Sequence, residues 1–355
     1  MAALILNSIR IRRFRAFQDL SIKQLGRVNL IVGKNNVGKS CLLEAIQLYA
    51  ARGFPNTIWQ ILEAHDEDIE SSSRRRANIE EILSSIKYLF YGRKDIIDSV
   101  DPIEIGPMDA SNEKLQISLL FSRSQPTLFV DEEMYVPRFS IQLGENRHVN
   151  YPLELSSTRL LRSELKEINC ILTSANGLNR KRIAELWDKI ALTHLEDEVL
   201  IALRIIAPGV QAINIVGDTI RARGRSAIVK VADIAEPLPI RSLGDGMQRM
   251  LGIALALVNA KDGLLLIDEI ENGLHYSAQT SLWRVIFQLA HKLNVQVFVT
   301  THSWDCIAAF QQAAQEDEKE EGMLIRLELK KGEINAVLFD EQKLAIATRE
   351  QIEVR

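Results

Sequence analysis

The sequence has little cysteine, only a small excess of acidic over basic charge and no long apolar run, and each shortage removes a class of protein. Its three cysteines, Cys41, Cys170 and Cys306, are far apart and form no C-x-x-C pair, so neither a disulfide framework nor a cysteine zinc site is indicated. With 43 Lys and Arg against 47 Asp and Glu, the formal charge is −4, which argues against coating nucleic acid by bulk charge. The best membrane candidate, "MLGIALALV", is far shorter than the roughly 20 apolar residues that cross a bilayer. The opening "MAALILNSIRIRRF" has too short an apolar run and the wrong charge order for a secretory signal. A soluble, cytoplasmic protein with no membrane partner is expected. There is also no internal repeat and no long heptad array.

What is present is ordinary in amount. At 355 residues the chain exceeds the size at which one core stops growing, so two lobes are expected. Hydrophobic residues at 46% and charged residues at 25% are those of a soluble globular protein.

Three strands are predicted within residues 4–33, in "LILNSIRIRRF", "LSIKQL" and "VNLIVG". In the first, alternation puts Ile9 and Ile11 on one face and Arg10 and Arg12 on the other. The last runs into "GKNNVGKS", Gly33 to Ser40, a G-x-x-x-x-G-K-S spacing in which backbone N–H groups curl around phosphates and the lysine reaches the terminal ones. A helix follows from Lys39 to Ala51, apolar at Leu42, Leu43, Ile46 and Ala50, and its first turn aims a positive dipole end at the same anion.

Two later buried strands carry polar ends. "LLLIDEIENGLH" leaves Asp268 and Glu269 at the end of an apolar run, where one carboxylate can hold magnesium and the other orient or deprotonate water. "VFVTTHS" brings His302 to the same sheet edge. Between them and the phosphate loop lies "SLGDGMQRM", a glycine turn before a second helix N-terminus suited to an anion. Continuous apolar strands alternating with helices predict an α/β class with a parallel core sheet.

In these segments the chain resembles the ABC-type ATPases, in the RecF-like, SMC-like and OLD-nuclease branch often labelled AAA. Walker A, signature, Walker B, D-loop and switch histidine occur in the order of that family, and "IRRFRAFQDL" is similar to the F-R-x-F start of the branch. The resemblance implies a P-loop NTPase head of ABC type, with a mixed or antiparallel N-terminal sheet, a parallel core sheet and a helical lobe. It implies ATP and Mg2+ as cofactors. Gly33, Asn36, Gly38, Lys39, Ser40 and Cys41 then bind nucleotide, Ser40 and Asp268 support the metal, Glu269 is the base and His302 the switch. Ser242, Gly244 and Gly246 form a signature turn closing over ATP held by a second protomer, so a homodimer on ATP binding is expected.

On this basis residues 1–52 form the N-terminal strands and Walker A, 53–112 an inserted helical segment, and 113–155 further strands of the first lobe. Residues 156–206 form a helical lobe, 207–312 the signature, Walker B and switch half, and 313–355 C-terminal strands and tail. The chain departs from the family pattern at two points: Gly244 occupies the signature serine position, with Ser242 nearby, and His275 occupies the D-loop aspartate position. The Q-loop glutamine has four candidates: Gln60, Gln116, Gln125 and Gln142.

Other charged groups are weaker signals. Arg12, Arg13 and Arg15 suit a nucleotide or DNA contact and a wet strand face equally well. The clusters Arg74 to Arg76, Arg180 to Arg182, and Arg221, Arg223 and Arg225 lack interleaved stacking aromatics and read as solvated faces. The D-x-D spacing at Asp66 to Asp68 has no apolar strand before it, against a nuclease site. Only about 50 residues follow His302, too few for the Toprim domain of OLD nucleases, so a nuclease is expected only as a separate partner chain. An SMC-like DNA bridge ranks lower, for want of a coiled coil.

Overall fold

The computed structural model describes residues 3–67, 79–93, 101–123, 135–153, 164–217, 225–316 and 322–340. The chain opens with β1 (Ile9–Phe14), β2 (Phe17–Ile22) and β3 (Val28–Val32), followed by α1 (Lys39–Ala50), α2 (Pro55–Glu63) and α3 (Ile79–Ile86). Four strands come next, β4 (Ile103–Gly106), β5 (Leu115–Arg123), β6 (Tyr135–Leu143) and β7 (Arg147–Pro152). Then follow β8 (Cys170–Thr173), α4 (Arg180–Asp188), α5 (Leu195–Arg204), β9 (Val210–Gly217), β10 (Arg225–Val231) and β11 (Leu238–Pro239). The last part holds α6 (Asp245–Asn259), β12 (Leu264–Ile267), α7 (Tyr276–Lys292), β13 (Gln296–Thr300), α8 (Trp304–Gln315), β14 (Gly322–Lys330) and β15 (Glu333–Phe339).

These strands make a six-stranded antiparallel sheet, β2-β1-β4-β5-β6-β7, a small sheet β11-β10-β9, and a six-stranded core sheet β15-β14-β3-β13-β12-β8. All neighbours in the core sheet are parallel except β14 and β15. Alternation along its strands divides the core in two, since successive side chains point to opposite faces. Val28, Leu30 and Val32 join Leu265, Ile267, Val297 and Val299 under the later helices and the small sheet. Ile31 joins Leu264, Leu266, Phe298 and Ile325 under α1, α2 and the antiparallel sheet.

On the first of these faces Trp283 of α7 is fully buried and meets Phe310 of α8 edge to face, with ring centroids 4.9 Å apart. Trp283→Ala leaves a cavity that rigid helices cannot refill and is expected to cost about 3–5 kcal/mol. Calorimetric unfolding tests this: a loss below about 1 kcal/mol would show that the α7–α8 contact contributes little.

Two segments differ from the sequence expectation. Residues 53–112 were expected to be helical but also contain β4, which sits between β1 and β5. Glu104 in its centre is buried because Lys114, Arg12 and Arg13 converge on it, a charge balance that no local pattern displays. Burial pulls its pKa upward, but these cations leave it below the ordinary carboxylate value. Likewise, the expected helical section 156–206 contains β8, the edge strand beside β12. Four residues, "CILT", are too few to separate a buried strand from a helix by periodicity. The expected clusters Arg74 to Arg76, together with Arg221 and Arg223, lie outside the described residues, as does Asp68.

Candidate functional site

The carboxyl ends of β3, β12, β13 and β8 lie along one edge of the core sheet, the edge at which open α/β sheets bind ligands. The loop after β3 leads into α1 through Gly38, in the left-handed region with φ 84. A Cβ there would stand 2.9 Å from the Phe17 ring of β2, so both conformation and space demand glycine. Asn36 is also left-handed, with φ 62, a region asparagine tolerates.

Lys39 is buried, and its Nζ donates to the Gly33 and Lys34 carbonyls at 2.8 and 2.9 Å. Burial lowers its pKa, opposed by the charges of Asp268, Glu269 and Glu271. The Ser40 hydroxyl donates to Asp268 Oδ2 at 3.1 Å, bringing together two groups separated by 228 residues. Thr300 Oγ1 donates to Asp268 Oδ1 at 2.5 Å while accepting the Glu269 N–H at 2.8 Å. One hydroxyl at the end of β13 thus orients both acids at the end of β12.

Glu269 adopts φ 48, a left-handed conformation that a non-glycine residue holds at a cost of order 1–3 kcal/mol and that clusters at functional sites. Asn272 Nδ2 donates to its Oε2 at 2.7 Å, and His302 Nε2 stands 3.5 Å from its Oε1. The His302 backbone N–H donates to Glu271 Oε1 at 2.7 Å. Arg249 locks the same edge from behind: its guanidinium donates to the carbonyls of Ser174, Asp268 and Glu269 at 2.7, 2.9 and 2.9 Å. Burial lowers the Arg249 pKa, against the pull of those acids.

A cleft of about 490 Å3 opens over this loop, lined by Asn36, Gly38, Lys39, Ser40 and Cys41 on one side and His302, Ala16, His65 and Arg93 around it. That volume is within the range of small-ligand sites, about 300–1,000 Å3. Burial pushes the Cys41 thiol up to about 11, so it lines the cleft as a neutral thiol. Among the described residues no group of three or more His, Cys, Asp or Glu side chains makes a metal cage. Ser40 and Asp268 fit Mg2+, which keeps waters and phosphate oxygens as its remaining ligands.

The turn at Gly244 is elsewhere. Ser242 is exposed on the 3-10 turn Ile240–Leu243, and Gly244 caps α6 with φ 98 and ψ 164. No atom lies within 4 Å of where a Cβ would be; the backbone conformation, close to glycine-only, is what disfavours a serine. Gly246 rests against the Gly273 backbone. A second cleft, lined by Asn176, Gly177, Asp245, Arg249, Asn272 and Gly273, flanks this turn, and Lys39 is not among its walls. His275 serves as the N-cap of α7, accepting the Ser277 N–H. Gln116 and Gln142 face each other across β5 and β6, and Gln60 is exposed on α2. The segment after β8 adjoins Asp268, whose N–H donates to the Thr173 carbonyl at 2.9 Å, and Gln125 lies outside the described residues.

Several residues of the site are invisible to motif reading. Thr300 had a local signal, a polar residue ending an apolar strand, and Arg249 is the one basic residue of α6, on a face that is otherwise buried and apolar. His65 and Arg93 had none. They lie at a buried ionic cluster in which Arg15 pairs with Glu44 at 3.0 Å and Glu67 at 2.7 Å, while Glu44 also hydrogen-bonds His65. Arg12 and Arg13 pair with Glu104. The three arginines left open by the sequence are therefore engaged by the chain's own carboxylates, and Glu67 of the D-x-D segment is one of them.

The Glu44 hydrogen bond raises the His65 pKa above 6.5, against the opposing effect of burial. The stabilisation from this pair is complete below the unfolded value and is lost as pH rises through the higher folded one. A histidine NMR titration is expected to show His65 inflecting above 6.5, and Glu44→Gln to move it down. No difference between the two proteins would remove Glu44 as the cause.

Residues 4–167 match the AAA ATPase domain family, and residues 226–305 match the family described as "AAA domain, putative AbiEii toxin, Type IV TA system". A Helicobacter pylori protein named ATP/GTP phosphatase is 26% identical, with 88% of this chain and 89% of that protein aligned. Among solved structures, an Smc head bound to the C-winged helix domain of ScpA is similar at TM-score 0.53 and 14% identity, covering 96% of this chain and 99% of that one. An Smc head with an extended coiled coil, bound to a ScpA domain derived from Pyrococcus furiosus, gives TM-score 0.52 at 11% identity, covering 98% and 99%. Two separate stretches of the sequence and the whole of its topology thus lead to one conclusion: the chain is an ATPase similar to the AAA families it matches, with the P-loop fold of SMC heads.

Proposed function

We propose that the chain is a Mg-dependent ATP hydrolase whose ATP-bound protomers pair head to head. The observation that carries this reading is the meeting of Ser40 with Asp268, beside Glu269 and His302, while the Gly244 turn lies on a different cleft. A turn suited to an anion but outside the cleft of its own phosphate loop fits a site completed by a second copy.

In this mechanism Lys39 leaves the Gly33 and Lys34 carbonyls to meet the terminal phosphates, whose charge outcompetes neutral acceptors. Backbone N–H groups of the loop and first turn of α1 hold the remaining oxygens. Ser40 and Asp268 would hold Mg2+, which when bound neutralises charge on the phosphate oxygens. Glu269, kept in place by Asn272, orients the attacking water and accepts its proton. His302 donates to the terminal phosphate and reports its presence to Glu269. Residues 1–52 and 207–312 supply these groups, so hydrolysis requires both parts.

Pairing and release switch a partner protein or a DNA-bound state, in DNA maintenance or anti-phage defence. An OLD-like nuclease activity belongs, in this reading, to a separate Toprim chain. Hydrolysis per protomer, measured against protein concentration, tests the pairing. The specific rate is expected to rise and then plateau. A flat rate from a protein that light scattering shows to be monomeric with ATP would sink the composite site.

A further inference from the structure

Two arginine clusters that the sequence presents as solvated faces meet in the fold. Arg180 at the start of α4, Arg225 at the start of β10, and Arg241 in the turn before Gly244 line one cleft of about 80 Å3 between α4, the small sheet and α6. Its floor is aliphatic, formed by Ile183, Ile215, Ala227, Ile240 and Leu251. This is room for several water-sized groups, hence for one aliphatic side chain or its end. Among the described residues, Arg225 alone of the three arginines has a carboxylate, Asp188, at 2.7 Å. Arg241 donates to the neutral amide of Gln248, and Arg180 has no partner among the described residues.

We propose that this cleft docks an acidic peptide segment of a partner protein. One aliphatic side chain enters the floor, and the flanking carboxylates meet Arg180 and Arg241. Charge complementarity selects the sign of the partner, and the aliphatic floor selects an apolar side chain over a solvated polyanion. Nucleic acid fits less well: among the described residues no aromatic ring lines the cleft to stack a base, and Asp188 sets a negative charge beside Arg225. The site also touches the ATPase machinery, because the Arg241 carbonyl accepts the Gly244 N–H at 3.1 Å. An occupant held by Arg241 therefore bears directly on the turn that opens α6.

Fluorescence anisotropy with a labelled peptide of glutamates around a single leucine tests the proposal on the full chain. The same peptide with glutamine for leucine, and a single-stranded oligonucleotide, serve as rivals. The leucine peptide is expected to bind, to weaken with added salt, and to lose more than about tenfold in affinity in Arg180→Glu, where a like charge replaces the contact. Arg180 is exposed, and circular dichroism checks that the variant is folded. The leucine–glutamine comparison needs no variant at all. No binding, equal binding of the two peptides, unchanged binding in Arg180→Glu, or displacement by the oligonucleotide at lower concentration would each overturn the proposal.

Discussion

Lys39→Ala is expected to remove nucleotide binding and, with it, hydrolysis. The side chain is the cation most deeply placed in the phosphate-loop cleft, and without ligand it is held by two loop carbonyls, Gly33 and Lys34. Its lowered pKa, caused by burial, means that a charged amine there is poorly solvated and gains more from a phosphate than a surface lysine does. Losing one such group that stabilises transferring charge costs about 10²–10³ in rate, and binding falls as well because the same contact exists before the reaction. A fluorescent ATP analogue and a phosphate-release assay read the two effects separately. Undiminished affinity in the variant, with Lys39→Met as a second substitution that fills the same space, would take Lys39 out of the site.

Glu269→Gln should do the opposite to binding. The amide keeps the length of the side chain and an oxygen for Asn272, and Ser40, Asp268 and Lys39 are untouched, so ATP is held. What is lost is the group that accepts a proton from water, a contribution of about 10²–10⁴ in rate. With hydrolysis blocked, the paired state accumulates, and light scattering with ATP should show a dimer that the wild type forms only transiently. Hydrolysis at the wild-type rate would reassign the base. Loss of nucleotide binding equal to that of Lys39→Ala would show that Glu269 supports the site's structure instead.

The two variants also separate what is local from what is assembled. Gly33 to Ser40, Asp268, Glu269 and His302 were legible because each follows an apolar strand, and a polar group at the carboxyl end of a buried strand has few other reasons to be there. Their meeting was not. Ser40 and Asp268 are brought together by β3, β13 and β12 lying side by side, an order in which β13, the last of them in sequence, occupies the middle. Thr300 becomes a keystone only because of that order, since its hydroxyl reaches Asp268 and Glu269 across adjacent strands.

The same distinction explains the strands that were misread. β4 and β8 are short, and their apolar residues have no period long enough to tell strand from helix; pairing with β1 and β5, or with β12, supplies the missing hydrogen-bond partners. Arg15 shows the reverse case, a residue whose type was plain but whose use was not. In sequence it is an arginine just past a strand that carries Arg10, Arg12 and Arg13, whereas in the fold Glu44 and Glu67 take it out of water. By itself the sequence determined the glycine loop after β3 and the placing of the acids and the histidine at strand ends, because glycine conformation, strand burial and side-chain charge are local properties. Only the tertiary structure decided which of the many charged groups face the cleft and which are neutralised, because burial of a charge depends on partners brought from distant parts of the chain.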